Sequence, residues 1–177
     1  MRTFAIRVLP GLGALLAVTA FATPAEAAPP ANAQQARDAC VEYLLQTIRA
    51  MPEGTYLEAH PDRQSPPGYA SPTGTGSAFF PNPEYYSLSY RLPSDAPYTT
   101  LADAESAWQG LGWPPARKPP YPNGAIATQA HPADGYTLDT IVGVGPAGTA
   151  VTMSCFTTET FPGGGPTAAP APASLVR

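Results

Sequence analysis

Apolar side chains recur along the chain with two different periods. Val41, Leu44, Leu45, Ile48 and Met51 stand at offsets of 0, 3, 4, 7 and 10, the spacing of one face of an α-helix. Asp38, Glu42, Gln46 and Arg49 fall on the opposite face, and Pro52 with Gly54 ends the run. Cys40 sits on the apolar side. Further on, Tyr86, Leu88, Tyr90 and Leu92 alternate with Ser87, Ser89 and Arg91, which is the period-2 pattern of a half-buried strand. Thr100 with Asp103 three positions later reads as a capping box opening a second helix through Leu101, Ala104, Trp108 and Leu111, closed by Gly110 and Gly112. Short strands are predicted at 55–59, 125–130, 136–142 and 149–156, the last two joined by a Gly/Pro turn. The Pro-rich segment 114–124 is expected to be an extended connection.

The predicted order is α-β-β-α-β-β-β. Two helices that are each apolar on one side bury that side most economically against one face of an antiparallel sheet. The expected fold is therefore a single α+β domain over 33–158. Residues 1–27 read as a signal peptide: Arg2 and Arg7 lead into an apolar run at 8–21, and Ala25-Glu26-Ala27 offers a small-residue cleavage site. Residues 28–32 form a linker, and 159–177, rich in Gly, Pro and Ala, are expected to be a disordered tail.

Charge narrows the function. Nine Lys and Arg against 13 Asp and Glu give a net charge of −4, so the chain lacks the basic surface that neutralises phosphates and nucleic-acid binding is not expected. No second apolar run reaches membrane-spanning length, so no membrane span is expected after signal removal. Export brings both cysteines into an oxidising compartment, where Cys40–Cys155 is the one intramolecular disulfide available. A secreted monomer is the expectation.

Candidate chemistry is sparse. Ala59-His60-Pro61 and Ala130-His131-Pro132 hold both histidines, with Asp62 and Asp134 close behind. Brought together, His60, His131, Asp62 and Asp134 would make a metal site or a general-base pair, although no local ligand motif selects them and a solvated turn histidine is the simpler reading. Gly143, Gly145 and Gly148 match a dinucleotide fingerprint, but a strand follows where that motif needs a helix, so a hairpin turn is expected. Neither metal nor cofactor is implied. Tyrosine supplies the stronger signal, with nine in the chain. Tyr69, Phe79, Phe80, Tyr85, Tyr98 and Tyr121 lie in or beside Pro/Gly/Ser-rich connections, among them the 24-residue stretch 60–83. Aromatic rings on such loops are typical of adaptable binding surfaces.

Trp108-Gln109-Gly110-Leu111-Gly112-Trp113 at a helix end, Asp134-Gly135-Tyr136 opening a strand and Ser154-Cys155-Phe156 closing the domain resemble small exported proteins and lipoproteins of high-GC actinobacteria. The resemblance spans roughly 38–158 and implies no catalytic residues. Unlike the lipoproteins of that group, the chain has no cysteine in a lipid-attachment context. The function expected is an exported binding or interaction module for a protein or cell-envelope polymer. The alternative is a secreted hydrolase or metal-dependent enzyme using His60 and His131.

Overall fold

The computed structural model describes residues 30, 32–59, 86–133, 135–145, 148–158 and 168–177. The signal-peptide and linker assignments, apart from Pro30 and Asn32, and the segment 159–167 lie outside these residues.

Helix α1 runs Ala33–Ala50. Asn32 caps it by accepting the Gln35 backbone N–H at 2.9 Å, satisfying one of the donors that a helix start leaves free. Its buried residues are Ala36, Cys40, Leu44, Thr47 and Ile48. Val41 and Leu45, expected on the apolar face, are only half-buried. The contact ridge is rotated toward the small residues Ala36 and Cys40, which let the helix lie close to the sheet. Helix α2 runs Pro97–Gly110 and buries Leu101, Ala104, Ala107 and Trp108. It begins three residues before the predicted Thr100 cap. Pro97 supplies a helical φ at the first position, while the Ser94 hydroxyl accepts the Ala96 N–H at 3.0 Å. Thr100 instead bonds the Ala96 carbonyl within the helix, 3.2 Å away.

Seven strands form one antiparallel sheet: β1 Leu57–Glu58, β2 Ser87–Leu92, β3 Ala116–Arg117, β4 Ile126–Ala130, β5 Tyr136–Gly145, β6 Gly148–Thr157 and β7 Ser174–Leu175. Their spatial order is β3-β4-β5-β6-β2-β1-β7. The register aligns Leu88 with Cys155, Cys155 with Leu138, and Leu138 with Ala130. All four are fully buried, and Cys155 is bonded to Cys40 of α1, with the Cα atoms 5.4 Å apart. This line marks the face covered by the helices. Two-residue alternation sends Ser89, Ser154, Asp139 and Gln129, likewise aligned in register, to the other face.

The α+β fold, with two helices and one disulfide, is as the sequence predicts, and two short strands are additional. The 114–124 segment is more than a connection. Between its proline pairs, Ala116 and Arg117 pair with Gln129 and Thr128, and Lys118 and Tyr121 donate backbone N–H groups to Ala127 and Ala125. Prolines at an edge strand leave the intervening donors free to pair. The Gly143-x-Gly145 stretch continues β5 and Gly148 opens β6, as a hairpin requires.

The disordered-tail expectation does not hold for 168–177. Leu57 and Glu58 pair with Leu175 and Ser174, Leu175 and Ala171 are buried, and the Ala59 N–H donates to the Ala173 carbonyl at 2.8 Å. Scarce apolar bulk alone predicts a tail that does not pack. Its carbonyls, bonded by groups on α1 and β2, supply what the side chains lack.

Candidate functional site

Of the residues singled out by sequence, His60, Asp62, Tyr69, Phe79, Phe80, Tyr85 and Asp134 lie outside the described residues. His131, Tyr98 and Tyr121 lie within them. His131 follows the last residue of β4 and is exposed. Its Nδ1 lies 3.2 Å from the Thr137 hydroxyl and 3.3 Å from the Tyr136 carbonyl, so the ring is bracketed by the start of β5. Among the described residues, no group of three or more His, Cys, Asp or Glu side chains is arranged to hold a metal ion.

The tyrosines divide into two sets. Tyr86, Tyr90 and Tyr136 are core residues, and half-buried Tyr43 meets Tyr136 and Trp113 edge-on with ring centroids 5.3 and 5.7 Å away. Tyr98 at the start of α2 and Tyr121 in the turn after β3 are exposed, and so is Tyr56 just before β1. Sequence reasoning assigned Tyr56 to a strand and passed over it. The signal available in the sequence is Pro52 with Gly54 at the end of α1: Gly54 turns the chain at φ +85 and the ladder begins only at Leu57, which leaves Tyr56 outside it.

The sheet face opposite the helices carries a polar line. Ser154 donates to Ser89 at 2.9 Å, and Lys118 donates to Asp139 Oδ2 at 3.2 Å. Asp139 is 6% exposed, and its Oδ1 has no hydrogen-bond partner. Burial raises its pKa above the ordinary aspartate value against the opposing pull of Lys118. Arg117, next to Lys118 between the two proline pairs, is also engaged: it grips Glu105 of α2 with two bonds of 2.7 and 2.8 Å.

An open cleft of about 610 Å³ lies where the turn after α1 meets the C-terminal residues, lined by Glu53, Gly54, Thr55, Tyr56, Val176 and Arg177. Thr55 pins the turn by donating both its N–H and its hydroxyl to the Pro52 carbonyl. Arg177 closes the far side, its guanidinium donating to the Arg49 carbonyl in the last turn of α1, where a cation also complements the helix dipole. Tyr56 and Val176 are exposed here at 40% and 63%, between an acid and a base. The cleft is wide open to solvent and combines apolar surface from Tyr56 and Val176 with the charged side chains of Glu53 and Arg177.

No protein-family model matches the chain, and no curated protein or solved structure matches it either. No helix among the described residues is long and apolar enough to cross a membrane.

Proposed function

We propose that the protein is an exported binding module that engages a protein or cell-envelope polymer through the cleft between Glu53–Tyr56 and Val176–Arg177. The observation that carries this reading is that the exposed Tyr56 and Val176 side chains line one cleft of about 610 Å³. A rigid aromatic ring beside an apolar neighbour is the composition of an interface anchor. The Cys40–Cys155 disulfide supports an oxidising compartment, in agreement with the Arg2/Arg7 leader pattern and its Ala25-Glu26-Ala27 site. Retention on a native cell-envelope preparation tests the reading. Tyr56→Ser with Val176→Ser is expected to weaken retention at least tenfold, about 1.4 kcal/mol or more, whereas His131→Ala leaves it unchanged. Loss of retention in His131→Ala with the Tyr56 variant unaffected would transfer the function to the histidine end of the sheet.

A further inference from the structure

Residues 168–177 meet the rest of the molecule in an unusual way. Only Ala171 and Leu175 of these ten residues are buried, and the ladder to β1 is two residues long. Apart from the Arg177 guanidinium on the Arg49 carbonyl, the remaining hold is on the backbone. Gln34 Oε1 accepts the Ala169 N–H at 2.8 Å, Arg37 Nη2 donates to the Pro170 carbonyl at 2.9 Å, and the Tyr90 hydroxyl donates to the Pro172 carbonyl at 2.7 Å. Prolines have no N–H to place in a ladder, so the seat reads alternate proline carbonyls with side-chain donors from α1 and β2. Aromatic-lined grooves capture proline-rich ligands in the same manner.

The seat also holds donors that its occupant leaves unused. The Tyr86 hydroxyl and Arg37 Nε are buried without a hydrogen-bond partner, and the Arg37 charge acts on both Tyr86 and Tyr90. We propose that the groove formed by Gln34, Arg37, Leu57, Tyr86 and Tyr90 is a binding site for extended Ala/Pro-rich peptide segments of a partner protein, and that residues 168–177 occupy it in cis. Covalent attachment makes the cis segment an intramolecular competitor, and a partner whose carbonyls also reach the unused donors gains contacts that the cis segment lacks.

The test uses the full chain carrying Leu175→Asp, which expels the anchor of the cis segment and leaves the groove intact. The probe is a fluorescent peptide with the sequence of residues 168–177, read by anisotropy. The variant is expected to bind it saturably and at least tenfold more tightly than the unsubstituted chain does. Adding Arg37→Ala and Tyr90→Phe to that variant is expected to lower the affinity at least tenfold. A folded Leu175→Asp chain that binds no peptide, or equal binding by both chains, overturns the proposal. Should Leu175→Asp fail to fold, a full chain with a protease site placed in the Gly163–Gly165 run is folded, cut and challenged with the probe. Exchange of the cut segment for the probe supports a docked ligand, and permanent retention shows an integral strand and overturns it.

Discussion

Trp108 of α2 donates its indole N–H to the Thr47 hydroxyl of α1 at 3.0 Å, and both residues are fully buried. Thr47 passes its own proton to the Tyr43 carbonyl at 2.9 Å, so one hydroxyl serves both helices. Thr47→Val keeps the shape and strands the indole N–H. Unfolding in urea is expected to show a loss of about 1–3 kcal/mol, with Thr47→Ser close to the parent. Equal stability of the valine variant would mean that the indole finds another acceptor.

The disulfide joins residues 115 positions apart. Closing so long a loop in the unfolded chain carries a large entropic term, and Cys40→Ala with Cys155→Ala is expected to lower stability by about 2–5 kcal/mol. Thiol labelling of the unfolded, unreduced protein should find no free cysteine. Two labelled thiols per chain would contradict the bond.

Asp139 makes stability depend on acid pH with an unusual sign. Its folded pKa is raised from 3.8 by burial, so over the window just above that value the native state binds more protons than the unfolded one. Stability from this group is full below the unfolded value and is lost as pH rises through the folded one. Asp38, held low mainly by its bond from Arg37, and Glu105, held low mainly by Arg117, act oppositely and lose their contribution as pH falls. Asp139→Asn is therefore expected to become progressively more favourable relative to the parent as pH climbs from about 4, then level off. Denaturant unfolding at a series of pH values measures it. A stability difference flat between pH 4 and 7 would contradict the assignment.

Alkaline pH tests the tyrosine core. Burial pushes Tyr90 and Tyr136 up to about 12 and Tyr86 higher still. Because the unfolded phenols titrate near 10, their contribution is complete below about 10 and is lost as pH rises through the folded values. The 295 nm absorbance should show these tyrosines ionising late, together with loss of structure. Tyr90→Phe removes the bond to Pro172 and one of the late groups, at a cost of about 1 kcal/mol.

Strand β2 and the Val151–Thr157 part of β6 were legible because their alternation is strict, whereas β5 is buried without a break from Tyr136 to Thr140. Leu88, Tyr90 and Leu92 face the helices while Ser89 and Arg91 do not, and burial follows that pattern almost residue by residue. The short strands were not, since two residues such as Ala116 and Arg117 carry no period, and their pairing is decided by where β4 happens to lie. The start of α2 was misplaced because Thr100 is a good cap in isolation, whereas Pro97 with Ser94 sets the entry earlier. Site residues were harder for the same reason. Tyr56 and Val176 stand 120 positions apart in sequence, and the cleft between them exists only because the chain's last residues return to α1. No local motif records that return. The carbonyls that Arg37 and Tyr90 bind are backbone groups, which composition cannot single out.

The sheet order places β6, which follows both in the chain, between β5 and β2. It is the bridge between two half-sheets: β3, β4 and β5 on one side, and β2, β1 and β7 on the other. A nascent chain that stops short of Gly148 therefore carries two separate pieces of sheet, β3–β5 and β1–β2, each with an open hydrogen-bonding edge, and a Cys40 thiol with no partner. Edges of that kind invite pairing with other chains. Once β6 arrives, its ladders to β5 and β2 and the covalent link to Cys40 become available together, and β7 completes the far edge only afterwards.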